Sequence, residues 1–117
     1  MNYSEMSDVE INISVAQLIF PNKKVIGSAS RPPKAHIVGD GLRAGSWVDY
    51  CNSWSDAGPV IEKHMICLAA DVFAEPQDGG KWVARPAYGW DKEAVRNDNP
   101  LRAAMILFLQ SRENPNE

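Results

Sequence analysis

Apolar residues recur at helical spacing near both ends of the chain and gather into short runs between them. Val9, Ile13, Ala16 and Phe20 fall three or four positions apart, and Ile11, Val15, Leu18 and Ile19 widen the arc. Ser7-Asp8-Val9-Glu10 precedes them as a capping box, and Pro21 follows as a stop, so a helix is predicted from about Ser7 to Ile19. A second is predicted from about Trp54 to His64, with Trp54, Ala57, Ile61 and Met65 as its inward stripe. Asn99 as cap and Pro100 at the first helical position open a third, Leu101 to Gln110. That last helix is apolar almost all round, only Arg102 and Gln110 being polar. Such a helix lies either between layers or under another subunit, and in so small a domain a subunit contact is expected.

The intervening runs predict strands at Val25-Ile26, His36-Ile37-Val38, Ser46 to Tyr50, Met65 to Ala70 and Lys81 to Arg85. Gly39-Asp40-Gly41 and Asp78-Gly79-Gly80 are turn signals of the hairpin kind, and Pro86 is expected to end the strand before it. The fold class predicted is α+β: a small, mainly antiparallel sheet of three to five strands, packed by about three helices as an α-β-α sandwich. The 117 residues are enough for one domain with its own core, with an excursion over 22–46 that is the hardest stretch to read.

The most informative stretch runs from Asp49 through Glu62, a strand end, a capped turn and a helix start. Asn52, Ser53 and Asp56 are its capping residues: Ser53 can accept from the N–H near Asp56, and Asp56 can reach back. Pro59 is expected in or near the first turn, where its missing N–H costs little. Asp56 is a candidate partner for Arg102.

Net charge is −3 and pI about 5.3, which argues against general nucleic-acid binding. The exception is residues 22–46, where Lys23, Lys24, Arg31, Lys34 and Arg43 face one acidic residue. Met1 to Asp8 is polar and acidic, with no signal pattern, and the longest apolar run is too short for a bilayer, so no membrane contact and a cytoplasmic location are expected. Cys51 and Cys67 fit two free thiols in a reducing compartment.

Candidate chemistry is sparse. His36, Cys51, His64 and Cys67 have no CxxC spacing, and neither metal nor cofactor is expected. Cys51 or a serine with a histidine, or Asp49 with Asp56, are the conceivable catalytic sets; packing and capping explain these residues more simply, and no catalytic residue is expected. Gly39, Gly41 and Gly45 do not have dinucleotide-fingerprint spacing. The rings and guanidinium groups are more suggestive. Trp47, Tyr50, Trp54, Trp82, Tyr88 and Trp90, with Arg31, Arg43, Arg85 and Arg96, are the types that hold a nucleotide by stacking and forked hydrogen bonds. Tyr50, Trp54, Arg85, Tyr88, Trp90 and Arg43 are the ligand-binding candidates. Trp47, Trp54 and Trp82 have packing in the core as their simplest role, while Tyr88-Gly89-Trp90 reads as an exposed loop.

Asp49 to Glu62, Asn99 to Leu109, and Tyr3 to Asn12 together resemble the signature segments of the NinX-like family of tailed phages, a group of uncharacterised function associated with the accessory region of lambdoid phage genomes. Ser53 stands where that family has the second of paired asparagines, a change that keeps capping ability. The resemblance implies an α+β fold, a phage origin and residence in the infected bacterial host; it implies no catalytic residues. The function expected is that of an accessory protein that binds rather than catalyses, antagonising a host factor or defence pathway by sequestering a nucleotide-type ligand or blocking a host protein. A homo-oligomer through the Leu101–Leu109 helix is the expected assembly. The alternatives are an accessory to phage DNA recombination or replication and, third, a small hydrolase.

Overall fold

The computed structural model describes residues 2–39, 44–87 and 94–113, the last without its side chain. After a short 3-10 turn at Tyr3–Glu5 come α1 (Asp8–Ile19), β1 (Val25–Gly27), β2 (Ala35–Ile37), β3 (Ser46–Val48), α2 (Trp54–Lys63), β4 (Ile66–Ala70), β5 (Trp82–Pro86), β6 (Val95–Asn97) and α3 (Pro100–Glu113). The α+β class, the three helices and the antiparallel pairing stand as expected. The strands divide, however, into two three-stranded sheets, β1-β2-β3 and β4-β5-β6.

Each helix begins where local chemistry allows. Ser7 accepts from the Glu10 N–H while the Glu10 carboxylate accepts from the Ser7 N–H, the reciprocal cap predicted. Ser53 caps α2 by accepting from Asp56 N. Pro59 is the sixth residue of α2, beyond the first turn, so the bond it cannot make is to the exposed Ser55, whose carbonyl water can serve. Gly58 precedes it with open space around its Cα, and so avoids the clash a Cβ would make with the proline ring. At the C-terminal end Met65 takes φ 54, the left-handed position that lets the chain turn from α2 into β4. It is 61 % exposed, not part of the inward stripe.

The layers run from the first sheet through paired helices to the second sheet. α1 packs on β1 and β2 and on α3; α3 packs on all three strands of the second sheet; α2 lies against α3 and β4. This explains the composition of α3. Leu101 and Ala103 through Leu109 are between 0 and 7 % exposed within the single chain. The expectation of a subunit contact through this helix therefore loses its basis, because other elements of the same chain already cover every apolar face.

Pro86 ends β5 from within, as its last paired residue, opposite Ile66. The Asp78-Gly79-Gly80 signal is real in that both glycines have positive φ, 99° and 142°, but it closes a longer connection that includes a 3-10 turn at Pro76–Asp78. The Gly39-Asp40-Gly41 turn and the Tyr88-Gly89-Trp90 loop lie wholly or partly outside the described residues. Among the described residues no helix is long and apolar enough to cross a membrane.

Candidate functional site

The bend after β3 is a knot of polar side chains. Asn12, fully buried on α1, donates from Nδ2 to the Pro33 carbonyl and to Asp49 Oδ1, both at 2.9 Å, and accepts from Cys51 N at 3.1 Å. Asp49, 8 % exposed, also accepts from Asn52 Nδ2, while its own N–H donates to Asp56 Oδ2 at 2.9 Å. Asp56 thus reaches back as predicted, to Asp49. Asn52 is a tie and not a helix cap: its amide spans Asp49 and Asp8 and accepts from Asn99. Asn99 caps α3 through Oδ1, which accepts from Leu101 N and Arg102 N, and donates from Nδ2 to the Cys51 carbonyl at 2.6 Å.

Arg102 does not pair with Asp56. Its guanidinium meets Asp8 at 2.7 Å and donates to the carbonyls of Ser4 and Met6. The reason is topological: α1 and α3 are packed side by side, so the start of α3 faces the capped end of α1. Among the described residues no buried side-chain polar atom is left without a partner. A network satisfied in this way holds the elements together.

The thiol inside it fits that reading. Cys51 is fully buried, and burial foremost, then the carboxylate of Asp8, push its pKa up to about 12. A protonated, enclosed thiol is no nucleophile. Tyr50 is also enclosed, at 3 % exposure, with its pKa raised to about 12 by burial and then by Asp56. That withdraws it from the ligand-facing role suggested for it. Trp54 stands 58 % exposed at the first position of α2, and Arg85 lies on β5 opposite Cys67. Tyr88, Trp90 and Arg43 lie outside the described residues. The three described candidates sit on different parts of the fold, Tyr50 on the bend after β3, Trp54 on α2 and Arg85 on β5. His36, Cys51, His64 and Cys67 are not gathered into a metal site: no group of three or more possible metal ligands forms among the described residues.

The structure instead brings together a set that sequence left scattered. Antiparallel register puts His36 of β2 opposite Trp47 of β3, and their rings stack at 4.8 Å, 7° from parallel. The Arg31 guanidinium lies 4.3 Å from the Trp47 ring centroid. Arg31 is held there by its loop: its N–H donates to Ser28 Oγ, its carbonyl accepts from Lys34 N, and Ser28 N donates to the Lys34 carbonyl. Gly45 allows the close approach, since a Cβ there would lie 2.5 Å from His36 Nε2 and 2.6 Å from the Ile37 carbonyl oxygen. Trp47 is 38 % exposed, so it is not the core residue its type suggested. His36 and Arg31 belong to the basic segment and Trp47 follows directly after it: 22–46 holds five basic residues against one acidic, a balance of +4, leaving −7 on the other 92 residues. Arg31 and Trp47 were both named from sequence as stacking candidates; what sequence could not supply was the strand register that adds His36.

A concavity of about 430 Å³ lies toward the C-terminal ends of the three helices, lined by Leu18, Ile19, Pro59, Val60, Lys63, His64, Phe108 and Arg112. His64 packs on Phe108 at 4.7 Å, and Arg112 approaches its Nδ1 at 2.9 Å. Burial, then Arg112 and Lys63, lower the His64 pKa, which keeps the ring neutral at pH 7 and able to accept from the guanidinium.

Compared with known protein families, residues 2–112 match the family described as Bacteriophage P22, NinX. No curated protein matches the chain.

Proposed function

The chain belongs to the Bacteriophage P22 NinX family, and from that premise we propose that it is a phage accessory protein that acts by binding, holding a nucleotide-type anion on the outer face of the β1–β3 sheet. The observation that carries this is the exposed Trp47 with His36 and Arg31 stacked on it, at the end of the one basic segment of an acidic chain. A guanidinium that stacks uses its face, which leaves its in-plane N–H edges for a phosphate. The exposed Lys24 and Lys34 add charge in the same segment. Rings for a base and a fork for a phosphate are what capture without turnover requires. The biological use that fits is antagonism of a host factor or defence pathway through sequestration of such a ligand.

Titration calorimetry against cyclic oligonucleotides and ADP-ribose derivatives tests this. Binding should weaken roughly 5- to 150-fold in Trp47→Ala, the range for loss of one stacked base. Heat that is absent for every nucleotide discards the reading. The +4 segment also favours a second reading, an accessory to phage DNA recombination or replication. Single-stranded DNA would then bind with an affinity that falls steeply with salt, whereas a single mononucleotide phosphate gives a shallow slope.

A further inference from the structure

Phe73 and Val72 are the most solvent-exposed large apolar residues described, at 88 % and 77 %. They project from the connection between β4 and β5, and that connection is built. Phe73 N donates to Asp71 Oδ1, Ala74 N donates to the Asp71 carbonyl, and the Asp71 carboxylate is anchored to Arg96 at 3.1 Å. Glu75 and Asp78 cap each other's backbone through the following 3-10 turn. Residues 71–78 therefore present two apolar side chains among three carboxylates and no basic residue. An exposed apolar pair on an ordered turn is a contact surface in search of a recess.

The recess with matching chemistry is the groove at the helix ends. Leu18, Ile19, Pro59, Val60 and Phe108 make it apolar; Lys63 and Arg112 make it basic; none of its eight lining residues is acidic. Leu18 is 45 % exposed at its lip, so the groove opens directly to solvent. Lys63 and Arg112 lie in the last turns of α2 and α3, where they also offset the negative ends of those helices, and their two full charges exceed the partial ones. Arg112 lies 5.4 Å from the Phe108 ring centroid and reaches His64, which leaves the remaining edges of its fork for a carboxylate.

One chain cannot join its own turn to its own groove. β4 leaves the groove end of the molecule just after His64 and extends five residues, roughly 17 Å, before the turn begins. The turn and the groove thus sit at opposite ends of β4. We propose that the groove receives the Val72–Phe73 turn of a second copy of this chain, and that two copies related by a two-fold axis exchange turns reciprocally. Two-fold exchange is the smallest arrangement that fills every groove; a one-way contact closes only as a larger ring or runs on as an open filament.

Sedimentation equilibrium from 1 to 200 µM tests the proposal. The wild type should approach twice the 12.9 kDa chain mass. Phe73→Ser and the double variant Lys63→Glu/Arg112→Glu should each weaken dimerisation at least tenfold while keeping the wild-type circular dichroism spectrum. Mixing the two variants should restore one of the two turn–groove contacts, so the mixture should associate more tightly than either variant alone and less tightly than the wild type. Adding Glu75→Arg to Arg112→Glu should recover part of the lost association. A wild type that is monomeric throughout the range overturns the proposal. So does a dimer that survives Phe73→Ser, or a mixture that associates no more tightly than either variant alone.

Discussion

Replacing Asn12 by alanine should be among the most damaging single changes this fold can suffer, although Asn12 is remote from any exposed surface. The side chain makes three hydrogen bonds at zero exposure: to the Pro33 carbonyl and Asp49 carboxylate as donor, and to the Cys51 N–H as acceptor. A neutral bond contributes about 1 kcal/mol and one to a charged group about 1.5–3 kcal/mol, and the abandoned partners stay buried. The loss should be about 3–5 kcal/mol, a large share of the roughly 5–15 kcal/mol expected for a domain of this size. Urea titration followed by far-UV circular dichroism measures it. With a slope near 2 kcal/mol/M, the midpoint should fall by about 1.5–2.5 M without change of slope. Gln17→Ala, on the exposed face of the same helix, is the control and should move the midpoint hardly at all. A loss under about 1 kcal/mol for Asn12→Ala, or an equal loss for Gln17→Ala, refutes the claim that the knot holds the layers together. A double-mutant cycle with Asp49→Ala should then give a coupling near zero instead of the 0.5–3 kcal/mol expected for contacting residues.

Other outcomes follow from single residues. The Cys51 pKa is raised in the folded state to about 12 from 9.0, so the unfolded chain releases its proton first as pH rises; stability is intact below about pH 9 and declines from there toward 12. At pH 11 this group alone should cost about 2–3 kcal/mol, and the decline should be shallower in Cys51→Ala when melting is followed across that range. Met65→Gly should raise stability by about 0.5–1 kcal/mol in chemical denaturation, because glycine takes the left-handed position without strain and little buried surface is lost. Gly45→Ala should cost about 1–3 kcal/mol and return the His36 ring protons, shifted upfield by Trp47 in the wild type, toward their free positions in proton NMR spectra.

What could be read from the chain depended on how local the cause was. The capping box at Ser7, the Ser53 cap, the Asn99-Pro100 start and the two glycines before β5 are decided by residues within four positions of one another, and each was legible. β6 was missed because Val95 is the sole strong strand former among Val95, Arg96 and Asn97, and the segment is a strand only because β5 offers it a ladder. Apolar composition said that α3 must be covered and could not say by what. The choice between another subunit and this chain's own layers was a tertiary matter, and the chain's own layers decided it. The same limit governed the site. Sequence identified Arg31 and Trp47 as types able to stack, yet the partner ring came from register across two strands, and Tyr50 was lost to burial that no local pattern displays.

This division between inward and outward groups separates holding the fold from using it. The knot residues Asn12, Asp49 and Arg102 turn inward with partners already made, so altering them changes stability and reaches function only through it. Trp47, Arg31, Phe73 and Arg112 turn outward from ordered backbone, and the core does not need their side chains. Substituting Arg31, Phe73 or Arg112 should shift the urea midpoint by the equivalent of only about 0.5 kcal/mol, and Trp47, which also packs across the strand pair, by about 1 kcal/mol. Binding to a nucleotide or to a second copy should nevertheless respond, each to its own pair: the anion to Trp47 and Arg31, the dimer to Phe73 and Arg112. A Trp47→Ala protein that loses its dimer, or a Phe73→Ser protein that loses its nucleotide, would mean that one surface serves both purposes, and the two assignments would have to be merged.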